Sequence, residues 1–246
     1  MNAIETKNLT KRYKTKTAVS GLTLSVAEGE LFALLGVNGA GKTTTIRMLS
    51  CLSKPSDGEC FVCGHSCISE PASVKNVVGI SPQDTAVAEN LTVLENMRLI
   101  CGIYGFSPEV TKRRIDEMTG LFKMNEVLNS RAKTLSGGWK RKLSIAMALI
   151  AEPKVLFLDE PTLGLDVLAR RELWSVVEEL KGKITIVLTT HYMEEAEALS
   201  DRIAIMIDGN LAALGTLAEL EAQSGESGLE NTFVKIASQF GKGGVK

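Results

Sequence analysis

A glycine-rich stretch near residue 40 carries side chains suited to hold a phosphate chain. Residues 36–43 fit the pattern G-x-x-x-x-G-K-[ST] and lie between an apolar run and a helical pattern. Glycines let the backbone wrap closely around phosphates, and the N–H groups at a helix start supply positive potential. Lys42 is expected to reach the β- and γ-phosphates, and the Thr43 hydroxyl to ligate Mg²⁺. The predicted nucleotide-binding residues of this loop are Gly36, Val37, Asn38, Gly39, Ala40, Gly41, Lys42, Thr43 and Thr44.

Two adjacent carboxylates, Asp159 and Glu160, follow the apolar run Val155–Leu158. At the carboxyl end of a parallel strand, such side chains point into the crevice where ligands bind. Asp159 is therefore predicted to hold Mg²⁺ through water, and Glu160 to polarise a water for in-line attack on the γ-phosphate. The alternative is a solvated acidic pair, but so apolar a strand is typical of a buried one.

A second helix start of the anion-binding type stands about a hundred residues further along. Residues 135–138 read Leu-Ser-Gly-Gly and precede an amphipathic pattern, which leaves bare N–H groups available to an anion. The next residue, Trp139, is expected to pack with Leu143 and Met147 on one helix face. The basic run 140–142 is interpreted as a solvated face rather than a phosphate contact.

The elements that must position these residues indicate an α/β protein. The first thirty residues alternate like short antiparallel strands, with turns at Lys14–Thr17 and at 28–30. Residues 91–151 have a helical pattern and are interpreted as an inserted helical subdomain. Apolar strands alternate with helices elsewhere, which predicts a mostly parallel sheet flanked by helices. The predicted elements are strands Leu31–Leu35, Val155–Leu158, Ile184–Thr190 and Arg202–Ile207, and helices from Lys42, over Ala169–Leu180 and over Met193–Leu199.

Bulk properties exclude some classes of function. The 246 residues carry a formal net charge of −1, which gives no electrostatic case for nucleic acid. We expect no signal peptide, because the first residues are polar, and no membrane span, because the apolar runs are too short. Cys60, Cys63, Cys67 and His65 could suggest a metal cluster, but the spacing matches no complete four-ligand pattern. Reduced thiols are the favoured interpretation.

Four further residues stand in an order that belongs to one family. Tyr13 precedes the phosphate loop, Gln83 ends Ile-Ser-Pro-Gln, Asp166 ends Gly-Leu-Asp, and His191 follows an apolar strand. Together with the motifs above, they make the chain resemble the ATP-binding subunit of ABC transporters over residues 3–215. The stretches 91–97 and 229–233 resemble the drug, antibiotic or lipid exporter branch.

The resemblance implies a P-loop NTPase fold, with Mg²⁺ and ATP bound at the glycine-rich loop. Tyr13 would stack on the adenine, and Gln83 would link the γ-phosphate and Mg²⁺ to the helical subdomain. His191 would contact the γ-phosphate. The implied catalytic residues are Glu160 and His191, and the implied Mg²⁺ ligands are Thr43, Gln83 and Asp159.

In such proteins two nucleotide-binding domains pair head to tail, so the second anion site would serve a partner. The implied signature residues that cap the partner's nucleotide are Leu135, Ser136, Gly137 and Gly138. Asp166 would act across the same interface. Trp139 departs from the family, which often has Gln at this point. If the indole does not merely pack, it weakens the capping interaction.

The implied function is an ATPase that powers a separately encoded membrane transporter, most similar to exporters. Its partners would be a second nucleotide-binding domain, identical or different, and a membrane-spanning permease, with no nucleic acid. It would lie at the cytoplasmic face of the membrane, held there through the permease. Residues 1–220 would form the ATP-binding domain, and 221–246 a flexible tether with a short amphipathic helix. Two hypotheses compete with this one. The first is a soluble ABC-type ATPase. The second is a binding-only regulatory module, which the intact Lys42, Asp159 and Glu160 argue against.

Overall fold

Two β-sheets with different strand directions lie face to face in the computed structural model, which describes residues 1–243. Its strands are β1 (Asn2–Tyr13), β2 (Lys16–Ala27), β3 (Leu31–Leu35), β4 (Asp57–Val62), β5 (His65–Ser66), β6 (Val78–Ser81), β7 (Val155–Asp159), β8 (Thr185–Thr190), β9 (Arg202–Ile207) and β10 (Asn210–Gly215). Its α-helices are α1 (Lys42–Leu49), α2 (Pro71–Val77), α3 (Val93–Ile103), α4 (Pro108–Leu121), α5 (Gly137–Leu149), α6 (Val167–Leu180), α7 (Met193–Leu199), α8 (Leu217–Ser224) and α9 (Leu229–Gly243). Short 3₁₀ turns occupy Asn125–Val127 and Ala132–Thr134.

The larger sheet has six strands in the order β10-β9-β3-β8-β7-β6. All neighbours in it are parallel except β10 and β9, and strands β3, β7 and β8 are buried along their whole length. The smaller sheet, β2-β1-β4-β5, is antiparallel. These arrangements confirm the predicted α/β class, the mostly parallel sheet and the N-terminal antiparallel unit.

Side chains of the parallel sheet alternate between two hydrophobic cores, as a period of two residues requires. In β3, Leu31, Ala33 and Leu35 face the helices, whereas Phe32 and Leu34 face the antiparallel sheet and α1. The parallel sheet is therefore covered on both faces, which explains why its central strands read as unbroken apolar runs.

The N-terminal strands are longer than the short strands that the sequence predicts. β1 and β2 have 12 residues each and pair across several register shifts. One shift lies between Thr6 and Leu9, where Asn8 takes a positive φ of 50°. Such a bulge interrupts the alternation of side chains without ending the strand. This explains why the alternation of apolar residues in the sequence predicts shorter strands.

The helical pattern over 91–151 resolves into three helices, and the last of them packs on the parallel sheet. Helix α3 begins at a capping box in which Thr92 and Glu95 bond each other's backbone N–H groups. Helix α5 approaches β6 so closely that a Cβ on Gly79 would lie 2.3 Å from the Ala148 carbonyl oxygen. The bounds of an inserted subdomain at 91 and 151 remain a prediction.

Residues 221–228, the first part of the segment predicted as a tether, contain the end of α8 and the turn that leads into α9. Helix α8 is capped by Gly225 with a φ of 74°, and the Gly228 N–H donates to Glu221 Oε1 at 2.6 Å. Glycine and serine here complete a turn between two packed helices, because they supply the left-handed backbone and the short side chains that it needs. Leu229, Phe233 and Ile236 of α9 join the core on the helical face, so α9 packs on its own domain. Residues 244–246 of the predicted C-terminal unit lie outside the described residues.

None of the helices within residues 1–243 is long and apolar enough to cross a membrane. In the same range, no group of three or more His, Cys, Asp or Glu is arranged to hold a metal ion. The five cysteines are free thiols, and Cys60 and Cys67 are buried beside each other where β4 meets β5.

Candidate nucleotide site

The glycine-rich loop connects the end of β3 to the start of α1 in a conformation that requires its glycines. Gly39 and Gly41 have φ values of 86° and 104°, a region that disfavours other residues. A Cβ on Gly36 would lie 2.4 Å from the Met206 carbonyl oxygen, and one on Gly41 would lie 2.5 Å from that of Ala18. The loop is thus pressed against neighbouring backbone on one side and presents its N–H groups on the other.

The Lys42 side chain lies inside this loop and is 5% exposed. Its Nζ donates to the carbonyl oxygens of Gly36 at 2.6 Å and Val37 at 3.3 Å. The same ammonium forms an ion pair with Glu160 Oε1 at 3.1 Å. A buried ion pair of this kind holds a cation ready at the loop, where an anionic ligand can take the place of the carboxylate.

Asp159 ends β7 and accepts two hydroxyl hydrogen bonds on one oxygen. Thr43 Oγ1 donates to Asp159 Oδ1 at 3.0 Å, and Thr189 Oγ1 donates to the same atom at 2.6 Å. The carboxylate is therefore oriented from both sides, by α1 and by β8. The sequence analysis missed Thr189, although two threonines that end an apolar strand just before His191 could have signalled a polar role.

Glu160 connects three neighbouring strands at their carboxyl ends. Its backbone has a positive φ of 49°, and its N–H donates to the Thr189 hydroxyl at 3.0 Å and carbonyl at 3.1 Å. Its second carboxylate oxygen lies 2.7 Å from His191 Nδ1, a hydrogen bond in which the imidazole donates when Nδ1 carries the proton. Lys42, Glu160 and His191 thus form one connected chain of hydrogen-bonded groups.

A cavity of about 370 Å³ opens above these groups. Loop residues 38–44, Glu160, Gln83 and Tyr13 line it, whereas the predicted residues Gly36, Val37, Asp159 and His191 do not. Tyr13 is 45% exposed and has the Lys11 ammonium 5.1 Å from its ring centre. Lys16 and Ala18 also line the cavity and were missed, since no motif marks them. A larger cleft of about 1270 Å³ elsewhere contains none of the predicted site residues.

The predicted signature residues lie outside this cavity. Ser136 is the N-cap of α5 and accepts a hydrogen bond from the Trp139 N–H at 3.4 Å. Asp166 caps α6 through the N–H groups of Leu168 and Ala169, both at 2.9 Å. The two helix starts adjoin, because a Cβ on Gly138 would lie 3.2 Å from that of Ala169. They form a second cluster, in which Ser136, Gly137 and Asp166 are exposed.

Trp139 packs against the hydrophobic core between the parallel sheet and the helices. Leu143 belongs to that core, and Met147 also packs against it. The Lys142 ammonium lies 4.5 Å from the indole centre and 2.7 Å from Glu172 Oε2. The expectation of a solvated face for 140–142 is wrong for two of its three members, since Arg141 is 4% and Lys142 8% exposed. The first turns of α5 lie between β6 and α6, which explains why cations on two sides of this helix become covered.

Glu195 on α7 is a buried carboxyl that the sequence motifs did not indicate. The Trp174 indole N–H donates to its Oε1 at 3.1 Å, and its Oε2 has no hydrogen-bond partner among the described residues. Burial raises the pKa of the Glu195 carboxyl above its ordinary value, and the nearby Glu160 raises it further.

The donor set fits magnesium and a nucleoside triphosphate. The Thr43 hydroxyl and the Asp159 carboxylate are hard oxygen ligands within one hydrogen bond of each other, and Gln83 lines the same cavity. Thr43, Asp159 and Gln83 would hold Mg²⁺, and the loop N–H groups with Lys42 would hold the phosphates.

Comparisons with known proteins agree with this geometry. A protein-family profile described as "ABC transporter" matches residues 19–163. The daunorubicin/doxorubicin resistance ATP-binding protein DrrA of Streptomyces peucetius is 41% identical over 226 residues, which are 92% of this chain and 68% of that protein. The human phospholipid-transporting ATPase ABCA3 is 40% identical over 236 residues, 94% of this chain but only 14% of that protein, so this chain spans about one seventh of its length.

A solved structure extends the similarity to three dimensions. It is described as the dimeric, post-hydrolysis state of the ATP-binding cassette MJ0796 bound to ADP and Pi. Its TM-score is 0.79 at 27% identity, and the match covers 87% of this chain and 98% of the other.

Proposed function

The chain belongs to the ABC transporter family, and from this premise we propose that it is an ATP-hydrolysing subunit that powers a membrane transporter. The observation that carries the proposal is the connected group of Lys42, Glu160 and His191 at the mouth of a phosphate-binding loop. A loop with bound phosphate and no base would only bind nucleotide. Glu160 adds the group that can activate water.

The proposed chemistry assigns one task to each side of the cavity. The loop N–H groups and Lys42 bind the β- and γ-phosphates, which then replace Glu160 as the partner of Lys42. Thr43, Asp159 and Gln83 would hold Mg²⁺, which would supply neutralisation of the phosphate charge. Glu160 accepts a proton from the water whose oxygen bonds to the γ-phosphorus, as the bond to the bridging oxygen breaks and ADP leaves. His191 holds that carboxylate in place and contacts the γ-phosphate.

We further propose that the second half of each site comes from another nucleotide-binding domain. Ser136 and Gly137 at the start of α5 are exposed, and the N–H groups of a helix start suit an anion held by a partner. The dimeric MJ0796 cassette supports such an assembly. Two bound ATP molecules would then lie between the domains, and hydrolysis would weaken their association.

The transporter itself is proposed to be an exporter with a membrane-spanning permease as partner. The names of the relatives, a daunorubicin/doxorubicin resistance protein and a phospholipid-transporting ATPase, favour amphipathic drug-like or lipid cargo. The chain would then lie at the cytoplasmic face of the membrane, bound to the permease.

The test compares Glu160→Gln with the unmutated protein and with Glu197→Gln, which alters an exposed carboxylate on α7. Loss of the base is expected to lower phosphate release about 10²- to 10⁴-fold while ATP binding stays unchanged. Light scattering with Mg-ATP should show Glu160→Gln doubling in mass. Glu197→Gln should behave like the parent.

Two results would count against parts of the proposal. Phosphate release by Glu160→Gln at the parent rate excludes Glu160 as the base. A mutant that binds ATP and stays monomeric contradicts pairing of identical chains, and it indicates a different partner domain or a permease that holds the pair together.

A further inference from the structure

Arg141 is a buried cation whose principal partners are backbone carbonyls. It lies in the second turn of α5 and is 4% exposed. One guanidinium nitrogen donates to the Pro82 carbonyl oxygen at 2.6 Å, and another donates to that of Gln83 at 2.5 Å. Among the described residues, no carboxylate oxygen comes within 4.0 Å of this guanidinium.

Burial lowers the pKa of the Arg141 guanidinium, and Asp159, Asp84 and Glu195 oppose that effect from a greater distance. Burying a charge without a directly bonded counter-ion is costly, and an apolar side chain could fill such a site more cheaply. The fork of donors, however, can hold two consecutive carbonyl groups at once. The arrangement fixes the backbone of Gln83, the cavity residue predicted to sense the γ-phosphate.

Below Arg141, two further contacts hold α5 against β6. The hydroxyls of Ser144 and Ser81 are hydrogen-bonded at 2.9 Å, and Ala148 meets Gly79 at backbone contact. Ser144 and Ala148 are packed against a strand, whereas Arg141 reaches the loop that follows it. Of these three residues of α5, Arg141 is therefore the one that connects the start of the helix, which carries the predicted signature, to a segment lining the nucleotide cavity.

We propose that Arg141 is a positioning residue that couples the two half-sites of one chain, an inference that rests on the proposed function. Gln83 faces the nucleotide bound by its own chain, and residues 136–138 face the nucleotide of the partner. Because Arg141 bonds the Gln83 backbone and belongs to the signature helix, a shift of Gln83 on nucleotide binding is transmitted to the signature. Occupancy of one site then adjusts the capping of the other.

The test is a double-mutant cycle between Arg141→Met and Gln83→Ala, read as kcat, KM and affinity for a fluorescent ATP analogue. Arg141→Met alone is expected to lower kcat about 10- to 100-fold, the cost of misplacing a site by about 1 Å. The analogue's affinity should change less than about threefold. In the Gln83→Ala background, Arg141→Met should lower kcat by no more than about twofold, because its effect passes through Gln83.

Lys140→Met serves as the matched control, since it removes a cation of the same turn whose partner Glu89 is exposed. It should leave kcat within about twofold of the parent. If Arg141→Met does not fold, Arg141→Lys takes its place in the same cycle. A lysine offers a point charge in place of the fork and should lower kcat by a smaller factor at unchanged KM.

Two outcomes overturn the inference: a single Arg141 variant with the kcat of the parent, or losses that simply add in the double mutant. Failure of the proposed function looks different, because the unmutated protein would then bind no ATP analogue or release no phosphate.

Discussion

The cavity at the start of α1 and the exposed start of α5 are both glycine-rich helix starts, yet they differ in how they are completed. Around the cavity, Lys42, Asp159 and Glu160 are about 5% exposed. Lys42 pairs with Glu160, and Asp159 accepts a hydrogen bond from Thr43, the residue after Lys42. At the start of α5, Ser136 and Gly137 are exposed, and the bonds of Ser136 stay within its own helix. One site is assembled by the fold, whereas the other still has free donors.

The difference teaches which part of the chemistry one chain can supply. Charged groups that must keep a fixed geometry are held on three adjacent strands, because a buried sheet moves little. In the proposed dimer, the donors that would engage and release a partner's nucleotide lie at a helix end in solvent. Substitutions at the two helix starts should therefore separate binding from assembly.

Lys42→Met is expected to have the largest effect, because it removes the cation of the cavity and leaves Glu160 paired with His191 alone. Truncating one partner of a buried charge pair costs roughly 2–5 kcal/mol, which is a fall of about 30- to 4,000-fold in ATP affinity. Titration with a fluorescent ATP analogue measures it. Lys112→Met, which removes an exposed lysine of α4, should bind like the parent. Equal affinities for the parent and Lys42→Met would remove the contrast between the two helix starts.

Gly137→Asp should have the next largest effect. It is expected to act through the pairing of domains and to leave nucleotide binding unchanged. A Cβ at Gly137 meets nothing within 4 Å, so the fold is expected to tolerate it. The added carboxylate repels a partner's phosphate, so kcat should fall about 10²- to 10³-fold, the cost of losing a donor to a developing anion. The analogue's affinity should stay at the parent value.

Gly120→Asp is the matched control for that change, because Gly120 also lies in open space on a helix. Its kcat should equal that of the parent. A Gly137→Asp protein that hydrolyses ATP at the parent rate would show that the start of α5 takes no part in the site.

Trp139→Gln is expected to have the smallest effect of these substitutions. If the indole serves to cover Lys142 and pack on the core, its loss should lower Tm by about 2–4 °C and change kcat less than about threefold. Thermal unfolding and phosphate release measure the two quantities. A rise of tenfold or more in ATP-dependent dimer affinity would instead indicate that the indole weakens capping. Glu172→Gln, which keeps the indole and removes the partner of Lys142, is the control.

Elements with a strong apolar periodicity, and residues that belong to motifs, could be predicted from the sequence. Helix Met193–Leu199 and strand Arg202–Ile207 were predicted at their observed bounds, because apolar periodicity is strong where a sheet is buried. The glycine pattern predicted the loop residues that line the cavity, the strand-end rule predicted Glu160 beside them, and the family resemblance added Tyr13 and Gln83.

What escaped prediction depends on contacts between distant parts of the chain. Thr189 and Arg141 act through hydrogen bonds to residues about 30 and 58 positions away, and only Thr189 has a local signal, its place at the end of an apolar strand before His191. Lys16 lies at the cavity only because β2 folds back over the loop. The turn between α8 and α9 has no local signature either, because it depends on a hydrogen bond from Gly228 back to Glu221 in the preceding helix.

The strand order of the parallel sheet has a consequence for synthesis of the chain. Leu35, at the end of β3, pairs with Thr190 and Ile205, so its lateral partners emerge from the ribosome about 155 and 170 residues later. At about 5–20 residues per second, the apolar strand that leads into the phosphate loop waits roughly 8–35 s for them. The β1–β2 pair can form at once from neighbouring residues. β3 thus cannot pair on both sides before residue 205 is synthesised, and until then Leu31–Leu35 lacks its lateral partners.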